Sequence, residues 1–358
     1  MPFCVRKCAY CDFYSLAGQT GLAGCYVDAV LEEARQYAGE QFEKLYLGGG
    51  TPSLLSAENL GNLVGGLRRI FNLSGLREAT IEVNPESASP QLLRTARELG
   101  IDRISIGVQS LSDYELKSAG RIHDANQAQK AVKIARGMGF RTSADLIAGL
   151  PGQDWESLGR SLGTLTGSGI GHISLYCLSL EEGTPLAANP PGDLPDDDMQ
   201  AGLFEKARRF LGGRGFIHYE VSNFALPGQE SLHNQNYWRG GEYLGLGPAA
   251  ASHVKGQRFS NRPDLHAYLD NPSGIREGTE NLAAPEKAAE EAMLRLRLLE
   301  EGVDMVVLSG RFGGENTTDL EARLRRLSIE GSLIKESSNY RLAPSRVLTS
   351  NPVFAGVL

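Results

Sequence analysis

No apolar run in the sequence approaches the roughly 20 residues of a membrane-spanning helix. Nothing argues for insertion in a bilayer, and only peripheral contact with one stays open. An excess of basic charge is also lacking, since the 358 residues carry a net charge of −7 with a pI near 5.5. A protein that grips nucleic-acid phosphates needs the opposite balance, so no nucleic-acid partner is expected. The local groups Arg68-Arg69, Arg208-Arg209 and Arg323 to Arg326 lie within amphipathic stretches and read as solvated helix faces. Cysteine is scarce, and five residues, an odd number with no apolar leader before them, make a poor disulfide framework. Free thiols point instead to a reducing, cytoplasmic setting. Internal repeats and low-complexity tracts are missing too. What remains is ordinary globular composition, long enough for one large α/β domain and a smaller one.

Three of the five cysteines crowd into the opening MPFCVRKCAYCDF as Cys4-x3-Cys8-x2-Cys11. Only a soft, multivalent partner such as zinc or an iron-sulfur cluster would use all three. A structural zinc site or an electron-transfer cluster takes four protein ligands, so three thiolates on a cluster leave one iron open to a small molecule. Two residues past Cys11 stands Phe13, which ligates nothing. A zinc site completed by a distant histidine is the alternative. Cys25 lies outside the array, at the start of a helical pattern over residues 24–37, and reads as a half-buried helix residue.

Further on, short strand patterns at 43–47, 79–83, 103–107, 141–147 and 172–177 alternate with helix patterns, which predicts parallel strands in a barrel or a doubly wound sheet. Gly49, Glu82, Gln109 and Asp145 fall at or just past the C-terminal ends of these strands, the rim where barrel enzymes build their sites. The three glycines Gly48 to Gly50 permit close backbone approach to a ligand. With a strand before Cys4 the barrel has six strands, yet only Met1-Pro2-Phe3 precede that cysteine. One barrel edge is then expected to lack a partner. A loop rich in Pro, Gly and Asp at 186–198 precedes another helix, residues 216–224 alternate like one more strand, and helices followed by a small hairpin end the chain.

The motifs PFCxxxCxYCDF, LGGGTPS, IEVNPE, ISIGVQS, GRIHD, DLIAGLPGQ, HNxxYW and GLGPAA, in this order, resemble those of the radical S-adenosylmethionine (SAM) family that comprises oxygen-independent coproporphyrinogen III dehydrogenases and HemW-type heme chaperones. The resemblance covers nearly the whole chain. It implies an α/β fold, a radical SAM partial (β/α)6 barrel over residues 1–225 with its first strand largely missing, and a smaller, winged-helix-like α+β domain of the HemN/HemW type over 226–358. It also implies a [4Fe-4S] cluster on Cys4, Cys8 and Cys11 whose fourth iron is chelated by SAM. Gly49 and Glu82 match positions that hold the cluster-bound SAM, and Tyr10, Gly50, Thr51, Gln109, Arg121, Asp145, Leu178 and Ala251 match positions around the SAM pockets. The bland alternatives are rim salt bridges for Glu82 and Asp145, loop tethering for Gln109, and an Arg121 pair with Asp124.

Two features separate the branches of this family. The dehydrogenases carry a fourth cysteine where Phe13 stands, and a longer N-terminal extension. His233, Asn234, Tyr237 and Trp238 match the chaperone signature HNxxYW. The resemblance therefore implies a cytoplasmic heme chaperone that hands heme to respiratory apo-proteins, with radical decarboxylation of coproporphyrinogen III propionates as the alternative activity. A neutral imidazole can ligate heme iron, and aromatic faces suit a macrocycle. His123, His218 and His253 are open as further heme ligands; the bland alternative is that His233 and Asn234 satisfy backbone groups in a buried loop while Trp238 is core.

Overall fold

The computed structural model describes all 358 residues. Two short strands, β1 (Phe3–Cys4) and β2 (Leu16–Ala17), pair in parallel and bracket the cysteine loop. The main sheet then runs through β3 (Lys44–Leu47), β4 (Glu78–Val83), β5 (Arg103–Gln109), β6 (Arg141–Ala148) and β7 (His172–Cys177), parallel and in sequence order. Two antiparallel strands, β8 (Ile217–Glu220) and β9 (Asn223–Ala225), finish it, with β9 against β7. Residues 216–224, expected as a single strand, thus fold back on themselves at Val221-Ser222.

The period of two along each strand sorts the side chains. Ala79, Ile81 and Val83, Ile104, Ile106 and Val108, and Ile173 and Leu175 are buried in the hydrophobic core. The alternate positions Thr80, Glu82, Ser105, Asp145 and Ser174 line a polar cavity inside the curved sheet. The helices between strands start on side-chain caps. Ser56 and Ser89 accept from Asn59 N–H and Leu92 N–H at 3.1 Å each, and Asp124 and Asp154 accept from the backbone at Gln127 and Ser157. Asp124 is therefore a helix cap, and the expected alternative of an Arg121–Asp124 pair is not formed.

A complete sixth parallel strand is not formed. Its place is held by three residues, through Met1 ammonium to Gly48 O at 2.8 Å, Gly50 N–H to Met1 O at 2.6 Å and Thr51 N–H to Phe3 O at 2.8 Å. β3 is the edge strand of the main sheet. A cavity of about 920 Å³ lies along that edge, walled by Leu45, Leu63, Phe71, His233, Tyr237 and Leu246 among others.

Beyond the main sheet, β10 (Ala251–Val254), β11 (Gln257–Asn261) and β12 (Arg276–Glu280) form an antiparallel sheet that the sequence pattern does not announce. Helices at Ala284–Arg295, Met305–Phe312 and Thr318–Ile329 lead into the hairpin Leu333–Glu336 and Asn339–Leu342, a winged-helix-like arrangement. One hydrophobic core runs from Phe3 to Val357 and so joins these elements to the barrel. Glu33 adds a polar tie. Its buried carboxylate accepts from Gly247 N–H at 2.8 Å, Asn261 Nδ2 at 2.6 Å and the Tyr268 hydroxyl at 2.6 Å.

Candidate functional site

The cysteine loop leaves β1 and turns tightly, with Cys11 N–H donating to Cys8 O at 3.3 Å. Ala9 N–H donates to Ala119 O at 3.1 Å, and Leu186 N–H to Ala9 O at 2.9 Å, so the loop is fastened to the far side of the barrel rim. Gly120 allows this approach. Its φ is +74°, and a Cβ there would lie 3.0 Å from Ala9 N.

The thiols have polar neighbours. Thr51 Oγ1 donates to Cys4 Sγ at 3.5 Å, and Arg121 Nη1 donates to Cys8 Sγ at 3.3 Å. Arg121 Nη2 also donates to Asn84 Oδ1 at 2.8 Å and Gly107 O at 2.9 Å, and Asn84 Nδ2 donates to Thr51 Oγ1 at 3.0 Å. A continuous line of hydrogen bonds therefore runs Cys4, Thr51, Asn84, Arg121, Cys8. Donors of this kind suit the sulfurs of cysteines that are bound to a metal as thiolates. No three His, Cys, Asp or Glu side chains converge as ligands of one ion. Three soft sulfur donors on one loop are the chemistry an iron-sulfur cluster takes, each thiolate on a different iron.

Tyr10 lies beside Arg121, and burial, set partly against that guanidinium, raises its phenol well above the usual range. Leu178 packs with Tyr10 against Ala119, Ile147 and Leu150. Gln109 ends β5 in a bulge with φ +64°, a left-handed conformation uncommon for a side-chain-bearing residue. On the same rim, at the ends of β3 and β4, the Tyr46 hydroxyl donates to Glu82 Oε1 at 2.6 Å and Gly49 N–H donates to Glu82 Oε2 at 3.0 Å. Burial pushes the Glu82 carboxyl up to about 7, with a further rise from Asp145, while the two hydrogen bonds pull it back. Asp145 is raised mainly by burial and accepts from Ser105 Oγ at 3.2 Å. Neither carboxylate forms a salt bridge, which removes the rim-pair alternative among side chains.

The glycine amides are already in use, Gly49 on Glu82 and Gly50 on the Met1 carbonyl. Gly48 is required by packing, because a Cβ there would lie 2.6 Å from Tyr46 Cε1. Ala251 lies apart from the cysteines, on β10, yet it faces Gly48 and Gly49 across the large cavity.

The HNxxYW residues sit on a short helix, Leu232–Trp238, whose first amides point at Glu78, with His233 N–H donating to Oε1 at 2.9 Å. His233 and Tyr237, four residues apart, share a face and line the large cavity. Asn234 faces the small polar cavity instead. Trp238 points elsewhere, with the Arg297 guanidinium 4.9 Å from its ring centroid, and does not join the other three. The His233 ring stacks on Tyr46 with centroids 4.2 Å apart, and burial lowers its pKa to about 4, so it is neutral at pH 7. Of the further histidines, His123 contacts Val108 O and Glu86, and His218 stacks on Phe224 and contacts Val221 O, so both are occupied within the fold. His253 approaches Gly241 O at 3.4 Å.

Asn84 was missed as a site residue. Its signal was present in IEVNPE, one position past β4, but nothing local shows that it spans Thr51 and Arg121.

Comparison with known proteins gives the family and the fold. The Radical SAM superfamily profile matches residues 1–165. The heme chaperone HemW of Escherichia coli is 36% identical over 324 residues, covering 87% of this chain and 85% of that protein. HemW of Lactococcus lactis is 35% identical over 302 residues, covering 83% and 80%. The structure of coproporphyrinogen III oxidase (HemN) from Escherichia coli superposes with a TM-score of 0.88 at 22% identity, over 100% of this chain and 88% of that one. The fold is that of a radical SAM protein, a family membership that implies SAM and a [4Fe-4S] cluster. Within that superfamily the chain belongs to the HemW family.

Proposed function

We propose that the protein is a heme chaperone that binds a SAM-ligated [4Fe-4S] cluster, takes up heme, and passes it to respiratory apo-proteins in the cytoplasm or at the membrane surface. The observation that carries the reading is the likeness, at 35–36% identity over most of the chain, to relatives named heme chaperones. Geometry supports it at two points. Phe13, where a fourth cysteine would sit, is exposed and carries no donor. His233 presents a neutral imidazole on the wall of the large cavity, within the size range of ligand pockets.

In this reading Cys4, Cys8 and Cys11 hold the cluster, and Thr51 and Arg121 stabilise two of the thiolates. Glu82 and Asp145 accept from the ammonium or ribose hydroxyls of SAM, near Gly49, Gly50 and Gln109, with Tyr10, Leu178 and Ala251 around the pockets. A cluster bound there supplies one-electron chemistry at SAM. His233 and Tyr237 contact heme from residues 226–358, while the cluster and most of the SAM contacts lie in residues 1–225. Asn234 and Trp238 serve as support rather than as heme contacts. No helix is long and apolar enough to cross a membrane.

An anaerobic heme titration of the cluster-reconstituted protein, followed by SAM, dithionite and coproporphyrinogen III, tests the reading. Saturable heme binding, weakened by His233→Ala, with no porphyrin product is expected. Decarboxylated product without heme binding would make the protein a coproporphyrinogen dehydrogenase instead.

A further inference from the structure

Tyr46 is the one side chain that lines both the large apolar cavity and the small polar one. Its hydroxyl is bonded to Glu82 at 2.6 Å, while its ring face lies on His233 at 4.2 Å with an interplanar angle of 15°. Glycine at position 48 makes the room for that ring. Tyr46 thus stands between a carboxylate read as a SAM contact and an imidazole read as a heme contact, touching each.

We infer that Tyr46 is a positioning residue that orients Glu82 for SAM and couples SAM binding to heme capture at His233. The inference rests on the proposed function. Glu82 is held at both oxygens, by Tyr46 on one side and Gly49 N–H on the other, so its direction is fixed by the Tyr46 ring. The charged and titratable groups around it are the Met1 ammonium, Asp145 on β6, Tyr176 on β7 and Tyr46 itself. Among these, Tyr46 supplies the largest pull toward the carboxylate form. When a ligand engages the His233 ring, the imidazole has to move relative to Tyr46, and the phenol moves with its hydroxyl. A change on the apolar side is thereby transmitted to Glu82 through Tyr46 alone.

The test uses Tyr46→Phe, which keeps the stacking ring and removes the hydroxyl. SAM affinity of cluster-loaded protein is measured from pH 6 to pH 9, with and without heme, and iron content is recorded for each sample. Equal iron content is expected. Near pH 7 the variant should bind SAM about ten- to a hundredfold more weakly, the equivalent of one hydrogen bond to a charged group. The gap should narrow toward pH 9, where Glu82 is ionised in both proteins, and a purely structural defect would leave it constant. Heme should change SAM affinity in the parent and not in the variant. Superimposable pH profiles and heme responses would overturn the role of Tyr46 while leaving the chaperone reading intact. Absence of SAM binding by the parent would overturn both.

Discussion

Asn84→Ala removes the centre of the line that joins two of the cysteines. Asn84 accepts from Arg121 Nη2 at 2.8 Å and donates to Thr51 Oγ1 at 3.0 Å. A hydrogen bond to a charged group contributes about 1.5–3 kcal/mol and a neutral one about 0.5–1.5 kcal/mol. Asn84 is only half-buried, so water takes over part of both roles, and the lower end, about 2 kcal/mol, is expected. For a chain of this length that corresponds to a melting midpoint lower by about 3 °C. The functional loss should exceed the stability loss. Without Asn84, Arg121 keeps Gly107 O and Cys8 Sγ but is free to turn, and Thr51 loses the donor that aims it at Cys4. The assay is thermal unfolding of the cluster-free protein, with iron and sulfide content after anaerobic reconstitution. Asn84→Asp separates the two halves, since it keeps an acceptor for Arg121 and loses the donor to Thr51. It should recover most of the stability and only part of the cluster loading. Parent-like melting and full iron content in Asn84→Ala would refute the idea that this network supports the thiolates.

Cys8→Ala should abolish cluster loading, measured as iron and sulfide, while circular dichroism stays that of the parent, because Cys8 is not part of the core. Gly120→Ala forces a Cβ to within 3.0 Å of Ala9 N at a φ of +74°, so it should cost about 1–2 kcal/mol in urea unfolding and lower cluster occupancy. Glu82 has a folded-state pKa near 7, above the roughly 4.3 of a free Glu, so the folded chain binds its proton first. Its contribution to stability therefore falls as pH rises from about 4.5 to 7 and is constant above that. Glu82→Gln should remove that part of the slope when cluster-free protein is unfolded across the same pH range.

Much of the site could be read from the chain because its residues occupy positions that local rules define. The cysteines are adjacent in sequence, and Glu82, Gln109 and Asp145 sit near strand ends, where a parallel sheet gathers them on one rim. Other features depend on distance in space. The bond from Asn84 to Arg121 spans 37 positions, and no periodicity predicts it. Val221-Ser222 turns the chain without Gly, Pro or Asn, so the alternation of residues 216–224 looks unbroken. β10 to β12 are short, mostly polar strands whose side chains give little period-two signal. HNxxYW looks like one patch in sequence, but a helix advances 100° per residue, which puts His233 and Tyr237 together and turns Trp238 toward Arg297.

The electron paramagnetic resonance spectrum of the reduced, reconstituted protein, recorded with and without SAM, bears most directly on the central claim that three cysteines leave one iron open for that molecule. A [4Fe-4S] signal that shifts when SAM is added, and that is missing in Cys8→Ala, is the predicted result. A cluster signal indifferent to saturating SAM, or iron retained in full by Cys8→Ala, would contradict it.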